Sequence, residues 1–324
     1  MEKKKCSIII LNFNGKNLLE RFMPSILDAV KYDGGIHEVV IVDNASTDGS
    51  QEYIQKNLPS VKLIVLKNNT HMQGYNIGAE ASCNEIVVIL NNDIKVEKEF
   101  LQPMLQHFCD TEVFAVRPTI NVVDGDVLKE TRGAQIGVCF KFGFLEFLYR
   151  EAKTEEERQN PAITFCASGG AGAFDRKKFL ELKGFDELFA PFYWEDVDLC
   201  YRAWKRGWKV ISEPRSVIYH YTHSTIGKFC SNRYVELIAC RNRYLLVWKN
   251  ITDWGFLLQH FICIPLRWIW SLMRLNFTSF LSFFYALKLL KAVSEKRKTE
   301  KKYFRHSDGE IFNLFSHVSG GKTR

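Results

Sequence analysis

Short apolar, β-branched runs recur through the first part of the chain, and each stops abruptly at polar residues. Residues 7–11 give way to Asn12-Phe13-Asn14-Gly15, residues 39–42 to Asp43-Asn44-Ala45-Ser46, and residues 86–90 to Asn91-Asn92-Asp93. A further run covers residues 61–66. Unbroken runs of this kind read as strands buried on both faces. Helical stretches over residues 18–31, 50–56 and 75–81 separate them. Asn17 is placed to cap the first, with Glu20 three positions on. Strand and helix in alternation mean βαβ units and a mostly parallel sheet, an α/β fold. Ligands of such sheets sit beyond the carboxyl ends of the strands, which puts Asp93 at the mouth of a crevice. Asn and Asp are also ordinary turn formers, and the pattern alone leaves both readings open.

The later part of the chain adds two elements. Glu195 and Asp196 open a helix in which Val197, Cys200, Ala203 and Trp204 share a face and Gly207 supplies the stop. Carboxylates in a first turn are favoured by the helix dipole, which is explanation enough for them. Tyr193 and Trp194 just before them suggest an apolar wall that would raise a carboxylate toward general-base strength. Residues 217–219 form a last strand, followed by His220 and His223. Residues 166–174, CASGGAGAF, allow close backbone approach to a ligand or to another strand. The charged run 153–158 reads as a solvated face.

No G-x-G-x-x-G follows the first strand, and no Walker-type G-K-[ST] occurs. Carboxylates at strand ends repel phosphate directly but hold it through a divalent cation, Mg²⁺ or Mn²⁺. The chemistry therefore points to a nucleoside diphosphate, with Asp43 free to accept hydrogen bonds from a base or ribose. The 324 residues carry a net charge of +7, concentrated near the C-terminus in Lys288, Lys291, Lys296, Arg297, Lys298, Lys301, Lys302 and Arg305. Such a cluster suits anionic lipid or nucleic acid, or is a solvated helix face. The absence of any recognition module argues against nucleic acid. Nine cysteines without C-x-x-C spacing point to reduced thiols in a cytosolic setting. The MEKKK start leads into a run too short for a signal peptide.

SIIILNFNG, VVIVDNASTDGS, GYNIGAE, VVILNNDI and FYWEDVDLCYRAWKRGWKV stand in this order. Together they resemble the inverting family 2 glycosyltransferases of GT-A fold, and most of all bacterial rhamnosyltransferases of cell-surface polysaccharide synthesis. The resemblance covers roughly residues 6–225. It implies a Rossmann-like, mostly parallel mixed sheet flanked by helices, and a nucleotide-sugar donor. It implies that Asn12, Asp43, Asn76, Gly78, Asn91 and Asn92 line the nucleotide, with Ala79 beside them. Ser168, Gly169 and Gly170 would line the sugar and acceptor pocket. Asp93 would hold the metal, with His220, or else His223, completing the site. Asn91 stands where the family motif has its first acid, which removes one charge. The E-D pair carries the catalytic base, assigned to Asp196 with Glu195 beside it on the acceptor, an order that could be reversed. Arg233, Arg241 and Arg243 are further candidates for diphosphate contact.

Beyond residue 250 the chain turns aromatic. The uncharged runs 254–266 and 275–287 are short of the ~20 residues that span a bilayer, and Arg267 and Arg274 interrupt them. They read as amphipathic helices lying in a membrane interface, or as a soluble oligomer interface. The expected layout is a catalytic domain over 1–225, a membrane-associating helical extension over 226–290 and a mobile basic tail over 291–324. The leading function is metal-dependent sugar transfer to a lipid-linked saccharide, at the cytoplasmic face of the inner membrane. A sugar nucleotidyltransferase and a non-catalytic membrane-bound scaffold are the alternatives.

Overall fold

The structure is a computed structural model and describes residues 3–132, 135–150, 154–221 and 231–318. The chain forms two compact units. The first comprises Met1–Gln135, Glu151–Phe185 and Lys209–His223; the second comprises Ile136–Arg150, Asp186–Trp208 and Ser224–Arg324. The last division, between His223 and Ser224, falls beside the expected boundary at residue 225, but Ile136–Arg150 and Asp186–Trp208 also go to the second unit. The segment carrying Glu195 and Asp196 belongs to the second unit.

The strands, in chain order, are β1 (Cys6–Asn12), β2 (Glu38–Asp43), β3 (Lys62–Val65), β4 (Ile86–Asn91), β5 (Ile94–Val96), β6 (Val113–Asp124) and β7 (Val127–Arg132). They continue as β8 (Gln135–Lys141), β9 (Phe144–Arg150), β10 (Ala162–Ile163), β11 (Ala171–Asp175) and β12 (Lys209–Tyr221). Among the described residues the first unit holds one sheet in the order β10-β12-β6-β11-β4-β1-β2-β3, with β5 on β12 and β7 on β6. The block β4-β1-β2-β3 is parallel, whereas β11 runs antiparallel to both β4 and β6. The sheet is thus mixed, and its parallel half is the part the hydrophobic runs predict. Ile8, Ile9, Ile10, Val40, Ile41, Val42, Val88 and Ile89 are wholly buried, as strands covered on both faces require.

Local differences have local causes. The first helix is Lys16–Tyr32, not residues 18–31, and Asn17 lies inside it without capping it. The Lys16 N–H instead finds Asp48 Oδ2 at 2.8 Å, so a neighbouring loop does the capping. β12 is far longer than residues 217–219 because it carries an irregularity between Glu213 and Val217. Pro214 sits in that break and hides the strand in sequence.

In the second unit β8 and β9 form a separate hairpin. The helix Glu195–Lys205 is followed by Asn232–Asn250, Trp254–Met273, Thr278–Leu287, Leu290–Glu300 and Asp308–Leu314. Two expectations change here. Residues 254–273 make one continuous 20-residue helix, long and apolar enough by length and composition to cross a membrane. Arg267 lies within it. The basic tail is also folded as far as Val318: Val293, Ile311, Phe312 and Phe315 are buried, and Ser307 with Glu310 forms a capping box.

Candidate active site

The carboxyl ends of β1, β2 and β4 are level because the strands pair in register, with Asn12 opposite Asp43 and Leu11 opposite Asn91. Asn12 Nδ2 donates to Asp43 Oδ2 at 3.0 Å, and Asn92 Nδ2 donates to Asn12 Oδ1 at 2.9 Å. Asp43 is wholly buried, and its Oδ1 accepts from the Ser46 N–H (2.9 Å) and Gln51 Nε2 (2.8 Å). It is therefore not free to receive a base or ribose. Its acceptor capacity shapes the loop after β2, as an Asx turn does.

Asn76 and Gly78, expected beside the nucleotide, have other work. Asn76 Nδ2 donates to the Phe185 carbonyl (2.9 Å) and Gln73 Oε1 (2.8 Å), while its Oδ1 accepts the Phe185 N–H (2.9 Å). It braces the turn at Gly184, where φ is +60°. A Cβ on Gly78 would stand 2.5 Å from Ile9 Cγ2, so this glycine lets the helix Gln73–Ala81 lie close against β1. Ala79 is wholly buried on the same helix.

The loop holding Ser168, Gly169 and Gly170 abuts the end of β4. The Asn91 N–H donates to the Gly170 carbonyl (2.8 Å), and Asn91 Oδ1 accepts from the Tyr75 hydroxyl (2.9 Å). A Cβ on Gly170 would meet the Asn91 side chain at 2.5 Å.

Asp93 and His220 come together because β12 pairs with β5, setting His220 opposite Ile94. The Tyr221 N–H donates to the Asp93 carbonyl at 3.0 Å. His220 Nε2 lies 3.1 Å from Asp93 Oδ1. The angles are not those of a hydrogen bond, and Asp93 Oδ1 is buried without a hydrogen-bond partner. An unsatisfied buried carboxylate oxygen is costly, and such atoms mark ligand sites. Carboxylate and imidazole together fit two ligands of a divalent cation. No third His, Cys, Asp or Glu converges with them among the described residues. Asp93 and His220 could thus supply only part of a divalent cation's shell, and the remaining ligands would have to come from elsewhere. His223 lies outside the described residues.

In the second unit Tyr193 and Trp194 both adopt left-handed backbone, with φ of +70° and +76°. Such strain persists only where its surroundings impose it. Here Asn242 imposes it: its Nδ2 lies 2.8, 3.0 and 2.8 Å from the carbonyls of Phe189, Phe192 and Tyr193. Arg241, expected near a diphosphate, instead donates to Asn242 Oδ1 and to the Ala190 carbonyl. Arg243 pairs with Glu146 Oε1 at 2.5 Å, and Arg233 is exposed. The strained turn delivers Glu195 and Asp196 to the N-terminus of the helix Glu195–Lys205. Asp196 Oδ1 accepts the Val197 N–H at 2.8 Å. Glu195 Oε2 is buried with no hydrogen-bond partner. Burial, then the charge of Asp196, pushes the Glu195 carboxyl up to about 8.

The helix that follows is buried nearly all round, not on one face. Asp198 accepts from Lys249 Nζ, Asn250 Nδ2 and Arg202 Nε, each at 2.8 Å. Lys205 Nζ reaches Asp308 Oδ1 at 2.8 Å. Sequence reading missed Asn242, Lys249 and Asp308.

Residues 7–182 match the sequence profile of glycosyl transferase family 2, which is more than half of the chain. The chain belongs to glycosyl transferase family 2. Its mixed sheet with flanking helices is the GT-A fold. Over 218 residues the chain is 25% identical to a putative polypeptide N-acetylgalactosaminyltransferase 10 of Caenorhabditis briggsae, covering 61% of this chain and 34% of that relative. The chain spans about a third of the length of the curated relatives it matches. Among solved structures, GalNAc-T7 with UDP, GalNAc and Mn²⁺ superposes with a TM-score of 0.61 at 19% identity, covering 76% of this chain and 48% of that one. S. aureus TarS in complex with UDP-GlcNAc gives a TM-score of 0.56 at 14% identity, covering 92% of this chain and 91% of that one. These matches do not single out rhamnose.

Proposed function

We propose that this family 2 chain moves a sugar from a nucleoside diphosphate donor to a hydroxyl of a lipid-linked saccharide, with inversion at the anomeric carbon. One observation carries the donor half: Asp93 Oδ1 is buried with no hydrogen-bond partner among the described residues, 3.1 Å from His220 Nε2. These two residues would hold Mn²⁺ or Mg²⁺, which when bound supplies positive charge for the departing diphosphate. The Asn12-Asp43-Asn92 network holds the ends of β1, β2 and β4 at one level, so that the loops facing the nucleotide keep their shape. Uridine is the favoured base, since GalNAc-T7 and TarS carry uridine nucleotides; dTDP-rhamnose is the other donor to compare.

Asp196 takes the acceptor proton, and the oxygen it frees attacks the anomeric carbon as the diphosphate leaves. Glu195, pushed up to about 8, stays largely protonated at neutral pH and is the poorer proton acceptor of the pair in the resting protein. The site of action is the cytoplasmic face of a membrane, which the exposed aromatic helices and basic C-terminal region support.

Calorimetry with UDP, GDP and dTDP, in Mn²⁺, Mg²⁺ or EDTA, tests the donor half. Metal-dependent binding of one nucleotide, lost in Asp93→Asn and weakened in His220→Ala, is the expected result. Folded protein that binds no nucleotide under any condition would sink the proposal.

A further inference from the structure

Among the described residues, the second unit gathers several hydrogen-bonding atoms that are buried without a hydrogen-bond partner. Arg267, on the helix Trp254–Met273, makes no hydrogen bond and no ion pair among the described residues. Its guanidinium lies over the Phe144 ring, 4.6 Å from the centroid. Arg243 lies over the same ring at 4.9 Å. Its Nη2 reaches Glu146, but its Nε is buried without a partner. The Tyr244 hydroxyl and Trp268 Nε1 are also buried and unpartnered. The hydroxyl lies beside Trp268 and Ser279 without reaching hydrogen-bond geometry with either. The rings chain these groups together: Phe144 meets Tyr244 at 5.0 Å, Tyr244 meets Phe283 at 5.5 Å, and Phe283 meets Trp268 at 4.9 Å.

Buried donors left unmade cost stability, so a cluster of them in one place implies an acceptor that arrives with a ligand. The ligand must be an anion: two guanidiniums face it against the single carboxylate of Glu146. Planar guanidinium forks are matched by phosphate oxygens. The surroundings say what else it carries. Leu266, Ile269 and Trp270 flank Arg267 in sequence and are 60%, 56% and 55% exposed. His260, on the same helix, is buried between the Trp248 indole N–H and the Gly143 carbonyl. One face of the helix is thus packed in protein, and its exposed apolar face is left to meet an apolar phase. Arg274 over Trp270 and Lys288 over Tyr285 add the cation-and-aromatic rim of a headgroup layer.

We propose that Arg267 and Arg243, with Tyr244 and Trp268, bind a phosphate group of a membrane lipid whose chain lies on the exposed face of the helix Trp254–Met273. This deepens the lipid-linked acceptor reading and rests on it. A short path leads from this cluster to the proposed base. Arg243 also lies over Trp194 at 5.6 Å, and Trp194 precedes Glu195. A phosphate held here would fix the head of the acceptor lipid beside the E-D turn.

Flotation of the full chain with phosphatidylcholine vesicles, with and without phosphatidic acid, tests the site. Wild type should bind the phosphatidic acid vesicles at least tenfold more tightly, and inorganic phosphate should compete only weakly because it brings no chain. Arg267→Ala and the milder Arg267→Gln should each lose that preference, Arg267→Lys should keep part of it, and Trp270→Ser should weaken binding to both vesicle types. Equal binding of wild type to the two vesicle types would overturn the proposal. So would full preference retained in both the Ala and Gln variants, or self-association through this face with no lipid uptake. Binding of UDP, GDP or dTDP in Mn²⁺, measured on the same samples, separates the two readings: nucleotide binding without lipid preference rejects only the phosphate site, while failure to bind any of the three rejects the transferase reading whatever the vesicles do.

Discussion

Glu195 is where burial and charge act most directly on chemistry. Its folded value is raised to about 8 from an ordinary 4.5, so folding favours the protonated acid. The contribution to stability is fully present below about 4.5 and is lost as pH climbs through 8. Glu195→Gln, which cannot ionise, should therefore be more stable than wild type at pH 8, by roughly 1–3 kcal/mol, with the gap closing by pH 5. Denaturant melts at the two pH values check this, and an unchanged or lower stability at pH 8 would refute it. Asp196→Asn should cut kcat by about a hundredfold or more while leaving UDP affinity alone. Near-wild-type turnover in that variant would move the base to Glu195.

At the scale of elements, the strained turn before the helix Glu195–Lys205 depends on one side chain. Asn242→Ala would leave the carbonyls of Phe189, Phe192 and Tyr193 without their shared donor. A loss of about 2–4 kcal/mol is expected, with a fall in kcat larger than any change in donor KM. Equal loss of both would mark Asn242 as structural only. Gly184→Ala is a second case: φ is +60°, and the new Cβ would stand 2.1 Å from Asn76 Oδ1. It should lower the melting midpoint sharply in thermal denaturation. These elements also show what sequence can carry. β1, β2 and β4 were legible because double burial writes itself as an unbroken apolar run, and the polar ends of those runs located Asp93. Asp43 and Asn76 were legible as positions but not as roles, because whether an amide or carboxylate faces a ligand or its own loop depends on neighbours such as Gln51 and Phe185. β12 was hidden by the Glu213-Pro214-Arg215 break. The helix Trp254–Met273 was cut short because a charge was taken as a boundary, whereas the Arg267 guanidinium packs over the Phe144 ring and interrupts nothing.

At the scale of the whole molecule, the charge surplus near the C-terminus is not all surface. Arg297 donates to the Trp248 carbonyl, Lys296 pairs with Asp186, and Glu300 pairs with Arg206. Asp308 is wholly buried, accepting from Tyr201, Lys205 and the backbone N–H groups of Thr252 and Asp253. Removing one member of such a set strands the rest in a poorly solvating interior. Asp308→Ala should cost about 3–5 kcal/mol and respond little to added salt, because buried pairs are weakly screened. A change below about 1 kcal/mol in denaturant melts would show that the network is slack. The basic tail looked mobile in sequence because its anchors lie far away along the chain: Lys205 and Asp308 are separated by 103 residues. That separation has a consequence in time. At roughly 5–20 residues per second, a ribosome needs about 5–20 seconds to travel from the codon of Lys205 to that of Asp308. Throughout that interval the helix bearing the proposed base has been made but lacks its buried counter-charge. The buried charge network of the second unit cannot close until synthesis has passed Asp308.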